Sequence, residues 1–426
     1  MNIEQLHHLF LKSTGICTDT RKLEKGQLYF ALKGANFNGN LFAKKAIEQG
    51  ATYAIIDETQ GELEYTILVE DVLQTLQQLS TYHREYLDIP IIALTGSNGK
   101  TTTKELINSV LSQKYNTTAT IGNLNNHIGV PLTLLSMTKE TEIGIVEMGA
   151  NHQGEIAALS EIAKPNFGYI TNFGKAHLEG FGGVEGVIKG KSELYKYIQK
   201  TNGLAFINKE DPLQIKQSTG IQVKTFAPNN ADYTITFKGA SPYVHIDFDD
   251  LTIKTQLTGA YNALNVAAAI AMGAYFSVDK EVIKKGIEGY IPANNRSQVI
   301  KKENNITIIL DAYNANPTSM EAALDNLSKQ SSQHKIAFLG DMFEVGETTL
   351  QEHQHILSYA NTCSIDEVYA VGPTFGVSTP ENNNHLVFLT YNAFAKAYTG
   401  DIPPDTTILI KGSRGMAMER VLDLIK

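Results

Sequence analysis

Ile91-Ile92-Ala93-Leu94-Thr95-Gly96-Ser97-Asn98-Gly99-Lys100-Thr101-Thr102-Thr103 decides how the rest of this chain is read. Four apolar residues in a row suit a strand buried on both faces, and a helical pattern over 104–111 follows. Between them, glycines let backbone amides turn inward onto phosphate oxygens. The helix start adds a favourable dipole, and Lys100 brings a point charge to the terminal phosphates. Thr101 would offer its hydroxyl to magnesium on the nucleotide. The strict phosphate-loop pattern wants glycine at position 94, where this chain has Leu94, so the match is to a shorter Gly-x-x-Gly-Lys-Thr form. A Gly-rich turn without a ligand is the alternative, and Lys-Thr standing between strand and helix favours the nucleotide.

Strand and helix signals on either side point to an α/β chain of three domains, as 426 residues exceed what one core usually organises. Residues 1–86 alternate short apolar runs (28–32, 53–56, 66–69) with helical patterns (41–49, 72–86), which reads as a small α/β domain. Residues 87–294 form the central mononucleotide-binding domain with a mostly parallel sheet. Its further strands are expected at 143–146 and 169–171, and an Ala-rich helix over 263–274. Period-two alternation between about 215 and 258, as in Tyr233-Thr234-Ile235-Thr236-Phe237, predicts an antiparallel appendage. In 295–426, runs at 307–310, 336–339, 367–371 and 407–410 end at Asp311, Gly340, Gly372 and Lys411-Gly412. Parallel strands feeding ligand loops do this, so the third domain is expected to be Rossmann-like.

Composition narrows the function. Asp and Glu exceed Lys and Arg by 45 to 36, which argues against a non-specific nucleic-acid or membrane-surface binder. Cys17 and Cys363 are too few and too far apart for a disulfide framework or a metal site, so a reducing cytoplasm is expected. No targeting signal is found, and the most apolar stretch, 263–276, is too short to span a bilayer.

Downstream lie further candidates. Glu147 closes the strand expected at 143–146, where a carboxylate can hold magnesium; the bland reading is a surface acid. His177 follows the next expected strand and is either a ligand for a second cation or a structural histidine. By spacing alone, Lys191 is a solvated lysine near a helix start.

Together these residues resemble the Mur ligase family over nearly the whole chain. The marks are the phosphate loop, Gly122-Asn123-Leu124-Asn125-Asn126-His127-Ile128-Gly129-Val130-Pro131, Glu147-Met148-Gly149-Ala150, the run Asn172 to His177, and Asp311-Ala312-Tyr313-Asn314-Ala315-Asn316-Pro317. Leu339-Gly340-Asp341-Met342-Phe343-Glu344 with His353, and Lys411-Gly412-Ser413-Arg414-Gly415-Met416, complete them. The resemblance implies an ATP-dependent ligase that joins D-alanyl-D-alanine to UDP-N-acetylmuramoyl-tripeptide through an acyl phosphate, with Mg2+, acting as a monomer. It implies that Thr95, Gly96, Ser97, Asn98, Gly99, Lys100, Thr101 and Thr102 hold the ATP phosphates. Thr101, Glu147 and His177 would bind magnesium, and Lys191 would become a carbamate and a further metal ligand; Lys100, Lys191 and His177 form the catalytic set. Asn262 and Asn265 resemble the stretch that meets adenine, and Arg296 and Asp311 the residues that reach the nucleotide from the domain junction. Asp19, Thr20, Arg21, Lys33 and Gly34 look like the uridine and diphosphate site, although Thr20 and the loop Asn36-Phe37-Asn38-Gly39-Asn40 depart from the usual pattern. Asn123, Asn125, Asn126, Asn314, Asn316, Lys411 and Arg414 complete the substrate contacts that it implies.

Three rivals share the phosphate loop, and against one of them, the folate polyglutamate ligases, stands the apparent uridine diphosphate domain before residue 86. A sister ligase adding a diamino acid typically carries Asp-Asn-Pro-Arg, a run absent here. A guanine-nucleotide switch would use Asn-Lys-x-Asp, and Asn208-Lys209-Glu210-Asp211 fits those letters after the apolar run 204–207.

Overall fold

The computed structural model describes every residue except Glu62, Glu381 and Lys426, and its strands fall into three main sheets with a short hairpin beside the first. In the first sheet Ile16–Cys17, Leu28–Phe30, Tyr53–Ile56 and Thr66–Leu68 lie side by side, all parallel. Because side chains alternate across a strand, Leu28, Phe30, Ile55 and Ile67 pack under helices Ile3–Lys12 and Val72–Leu87, while Tyr29, Ala54 and Ile56 face helix Ala43–Glu48. The helix expected over 41–49 starts instead as a tight turn, Gly39–Phe42, because the Asn38 side chain caps the Asn40 amide.

In the central sheet Thr117–Ala119, Ile143–Glu147, Ile91–Thr95, Phe167–Ile170, Leu204–Asn208 and Gln222–Ala227 run parallel in that spatial order. The run Ile91 to Leu94 is fully buried. Ile92 and Leu94 meet helices Lys100–Leu111 and Asn262–Tyr275, whereas Ile91 and Ala93 face Val130, Leu134 and Leu159 on the other side. The antiparallel appendage is smaller than its alternation suggests. Gln222–Ala227 is a parallel member of the main sheet, and only Tyr233–Gly239, His245–Phe248 and Leu251–Lys254 form the ribbon. Phe226 and Ala227 are both buried, as consecutive residues of a strand covered on both faces must be.

The last sheet places Ile306–Asp311, Thr406–Lys411, His334–Gly340, Glu367–Val371 and His385–Phe388 in parallel, with Gln298–Lys302 antiparallel at one edge. The strand that comes last in the chain slots between the first two parallel ones, which opens a crevice at their carboxyl ends, where Asp311 and Lys411 are register partners. That crevice and the phosphate loop face each other. Among the described residues no helix is long and apolar enough to cross a membrane.

Candidate functional site

The phosphate loop leaves strand Ile91–Thr95 through two glycines that the geometry requires. Gly96 has φ +145 and a Cβ there would stand 1.9 Å from Thr171 Oγ1; Gly99 has φ +78 and a Cβ would meet Asn265 Oδ1 at 2.6 Å. The neighbouring strand end braces the loop, since Thr171 Oγ1 donates to Asn98 O at 2.6 Å and Asn172 Oδ1 accepts from Asn98 N at 3.0 Å. Lys100 opens helix Lys100–Leu111, with its ammonium folded onto Gly96 O at 2.7 Å and Ser97 O at 3.2 Å. Burial holds its pKa below the ordinary lysine value, against the attraction of Glu147. A lysine resting on carbonyls it can exchange for phosphate oxygens is ready for a nucleotide.

Asn262 and Asn265 both line the cleft, and both brace the loop from helix Asn262–Tyr275. Asn265 Oδ1 accepts from Thr103 Oγ1 at 3.0 Å, Asn265 Nδ2 donates to Asn262 Oδ1 at 2.8 Å, and Asn262 Nδ2 donates to Thr258 O at 2.8 Å.

Glu147 ends its strand beside Leu94, in register with it. One carboxylate oxygen accepts from Asn125 Nδ2 at 2.7 Å, while the other, Oε2, is buried without a partner. An unpaired buried carboxylate oxygen is costly unless a cation joins it. Asn126 Oδ1 accepts from Ile128 N at 3.1 Å and Gly129 N at 2.9 Å just ahead of helix Gly129–Leu135, and Asn123 is exposed in the same loop.

His177 reaches the cleft from the segment after strand Phe167–Ile170, and its Nδ1 pairs with the carboxylate of Glu344, in the loop after strand His334–Gly340 of the C-terminal domain. Burial, with Lys100 and Lys191 nearby, pushes its pKa down against the pull of Glu344. Lys191 is fully buried behind the cleft wall, donating to Ala150 O at 3.2 Å with its ammonium 4.8 Å from the Phe181 ring centroid. Burial and then Lys100 push its pKa well below the usual lysine range. Among the described residues no three His, Cys, Asp or Glu side chains cluster as a ready-made metal site, so a cation here needs hydroxyl, phosphate or modified-lysine oxygens as well.

The C-terminal sheet supplies the opposite wall. Asp311 accepts from Lys411 Nζ at 2.5 Å and from Ser297 N at 3.0 Å, and the Arg296 guanidinium lies 3.5 Å over the Tyr313 ring. Asn316 caps helix Pro317–Ser328 through the Ser319 amide at 2.9 Å, and its Nδ2 donates to Asn98 Oδ1 across the joint at 2.7 Å.

These walls enclose about 760 Å³. Ser97, Asn98, Gly99, Lys100, Thr101, Thr102, Asn123, Asn125, Asn126, Glu147, His177, Asn262, Asn265, Arg296, Asp311, Asn314, Asn316 and Lys411 all line it. Thr95 and Gly96 lie beneath the loop and Lys191 behind it, outside the lining. Arg414 is also outside, paired with Glu419 at 3.3 Å. Asp19, Thr20, Arg21, Lys33 and Gly34 sit apart on the N-terminal domain: Arg21 binds Asp19 at 2.7 Å, and Lys33 lies 3.2 Å from Asp57 and 3.3 Å from Glu58. Sequence reasoning assigned no role to Tyr261, Ser297 or Tyr313, which line the cleft, nor to the Glu344 contact. The only signal was their place within or beside the quoted motifs. The Asn208–Asp211 letters form a turn instead: Asn208 Oδ1 accepts from Glu210 N at 3.0 Å, and Asp211 caps helix Pro212–Gln217 away from the cleft.

Three family descriptions match in succession: the Mur ligase family catalytic domain over residues 12–84, the Mur ligase middle domain over 94–273 and the Mur ligase glutamate ligase domain over 295–414. The UDP-N-acetylmuramoyl-tripeptide--D-alanyl-D-alanine ligase of Bacillus subtilis (strain 168) is 36% identical over 427 residues, covering 97% of this chain and 93% of that protein. Among solved structures, MurF from Acinetobacter baumannii superposes with a TM-score of 0.89 at 32% identity, covering 99% of this chain and 98% of that one. MurF ligase from Thermotoga maritima in complex with ADP gives 0.85 at 27% identity, with 97% of each chain covered.

Proposed function

The chain belongs to the Mur ligase family, and we infer that the cleft between its central and C-terminal sheets is where the reaction of the D-alanyl-D-alanine-adding members takes place. It is an ATP-dependent ligase that joins D-alanyl-D-alanine to UDP-N-acetylmuramoyl-tripeptide, giving the pentapeptide, ADP and phosphate in peptidoglycan precursor synthesis. The observation that carries the residue roles is the meeting of Lys100, Glu147 and His177 with Arg296, Asp311 and Lys411 around one cleft.

In the first step the tripeptide carboxylate attacks the γ-phosphorus of ATP, so that an O–P bond forms and ADP leaves. Two anions must meet. Unit charges ~4 Å apart repel by about 4 kcal/mol at an effective dielectric near 20, and Lys100, turned from its two carbonyls to the phosphates, offsets that repulsion. In the second step the uncharged dipeptide amine adds to the acyl carbonyl, a C–N bond forms, and phosphate departs as the amine gives up a proton. Thr101 and Glu147 would hold magnesium, a fit supported by the unpartnered buried Oε2 of Glu147. Bound there, the ion would neutralise phosphate charge and align the reacting oxygens. His177 and Lys191 would complete a second position. The depressed Lys191 pKa favours the neutral amine, which is the form that adds carbon dioxide and loses a proton to become an anionic carbamate.

We assign the uridine diphosphate to Asp19, Thr20, Arg21, Lys33 and Gly34, and the dipeptide to Asn314, Asn316, Lys411 and Arg414. Asn123, Asn125 and Asn126 lie on the path of the tripeptide. Residues 1–86, 87–294 and 295–426 are the three substrate-binding domains, in a cytoplasmic monomer.

The test is phosphate release from ATP with UDP-N-acetylmuramoyl-tripeptide, with and without D-alanyl-D-alanine, following the pentapeptide by mass. Product that needs both substrates supports the assignment. No product with either a lysine or a diaminopimelate tripeptide, or turnover with GTP alone, overturns it.

A further inference from the structure

The contact between His177 and Glu344 joins two residues 167 positions apart, and both hold left-handed backbones, φ 51 at His177 and φ 60 at Glu344. L-residues with side chains avoid that region unless the surroundings over-determine it. On the C-terminal side they do. Asp341 accepts from Thr374 N at 2.8 Å and Phe375 N at 2.9 Å, Met342 N donates to His353 Nε2 at 2.9 Å, and Phe343 N donates to Ser413 Oγ at 2.8 Å. His353 is itself fixed, donating from Nδ1 to Thr349 O at 2.7 Å. Three consecutive anchored residues therefore deliver Glu344 to one place. On the central side, Ser97 Oγ donates to Gly174 O at 2.7 Å and Lys175 N donates to Thr318 Oγ1 at 3.1 Å, which ties the segment before His177 to the phosphate loop and to the C-terminal domain together.

We propose that Glu344 is a positioning residue that orients the His177 imidazole, so that the metal-facing side of the site is complete only when the C-terminal domain is seated on the central one. With Nδ1 engaged by Glu344, Nε2 is the ring nitrogen left for a ligand, and His177 is one of the residues that line the cleft. Glu344 does not line the cleft itself. Carboxylates that hold the second nitrogen of a ligating histidine fix its ring orientation, and losing one typically costs 10–100-fold in metal affinity or activity. The inference rests on the reading of His177 as a metal ligand.

A second clasp at the same joint separates orientation from tethering: Lys175 Nζ lies 2.8 Å from Glu352 Oε1. Mn2+ affinity in the presence of ADP is measured by electron paramagnetic resonance for the parent protein, Glu344→Gln, Glu352→Gln and His177→Ala, alongside kcat for pentapeptide formation. The expected result is a loss of at least tenfold in Mn2+ affinity and kcat for Glu344→Gln, with Glu352→Gln within threefold of the parent. A Glu344→Gln loss smaller than tenfold overturns the proposal, as does a Glu352→Gln loss beyond threefold, which would make both pairs simple tethers. If His177→Ala binds Mn2+ like the parent, the metal role of His177 falls and this inference with it; if only Glu344→Gln is silent, the inference alone falls. Should Glu344→Gln not fold, Glu344→Asp, which withdraws the carboxylate by one methylene, is read against the same limits.

Discussion

The central domain meets its two neighbours in opposite ways. Toward the N-terminal domain, helix Val72–Leu87 buries Leu76 and Leu79 in one apolar cluster with Ile128, Leu132 and Leu135 of the central domain. Polar contacts there run largely to backbone carbonyls: His83 donates to Met137 O at 2.9 Å, Arg84 to Lys164 O at 3.2 Å, and Thr81 to Ile162 O at 3.1 Å. Toward the C-terminal domain no buried apolar cluster among the described residues mixes the two sides. That joint is held by side-chain pairs, Asn98 with Asn316, Lys175 with Glu352, Thr258 with Asn326 and His177 with Glu344, around the open cleft. Apolar burial is lost only by separating whole surfaces, whereas the part-exposed pairs Lys175 with Glu352 and His177 with Glu344 exchange for water at small net cost, Thr258 with Asn326 being the buried member of the set. That contrast predicts that the second joint, and not the first, opens for substrate and closes on it.

The largest expected effect falls at the second joint. Lys100→Met removes the charge that would face the phosphates and should lower kcat by about 10²–10³, the range for losing one preorganised stabiliser of developing charge. The thermal midpoint should hold or rise, since burial already disfavours that charge. Leu79→Ala reverses the pattern at the first joint. A fully buried leucine cut to alanine costs about 2–5 kcal/mol, read as a lower urea midpoint, with kcat per folded molecule within twofold of the parent. A kcat collapse in Leu79→Ala would break the contrast.

The first joint also carries a pH dependence. His83 Nε2 donates to a carbonyl, so in the neutral ring its Nδ1 accepts from His7 Nε2 at 3.0 Å. Burial, then His83 and His8, bring His7 from an ordinary 6.5 to about 4, and burial lowers His83 as well. A base with a depressed folded pKa leaves the unfolded chain binding more protons, so stability rises with pH. The contribution should be complete above about pH 6.5 and fade as pH falls through about 4, on the order of 2 kcal/mol. His7→Phe should flatten the urea midpoint between pH 7 and pH 5; an unchanged slope would remove the histidine pair from the account.

Much of this was legible in the chain and some was not, for reasons particular residues make plain. The run Ile91 to Thr103 carries strand, turn and helix in contiguous letters, so loop and fold class could be read together. Strand ends at Asp311 and Lys411 were legible because apolar runs stop there. Residues 222–227 misled, since alternation cannot reveal that this stretch pairs in parallel with Leu204–Asn208 and buries the consecutive residues Phe226 and Ala227. Asn208 to Asp211 matched a nucleotide pattern because asparagine and aspartate also make turns and caps. Glu344 was invisible as a contact, because only the folded chain brings its left-handed turn against His177.

The smallest effects give the sharpest comparison, because the same capping chemistry occurs at both joints. Asp71 accepts from Gln74 N at 2.6 Å at the start of Val72–Leu87, and Asn316 accepts from Ser319 N at 2.9 Å at the start of Pro317–Ser328. Alanine at either position removes one helix cap and should cost about 1 kcal/mol of stability. Beyond that the two diverge. The Asp71 carboxylate caps its own helix start through Gln74 N, whereas the Asn316 side chain also holds Asn98 of the phosphate loop. Asn316→Ala should therefore raise the KM for ATP severalfold, because the loop loses its partner across the cleft, while Asp71→Ala leaves that KM within error of the parent. Equal KM values would mean that the Asn98 contact is a by-product of capping and that closure rests on the charged pairs alone.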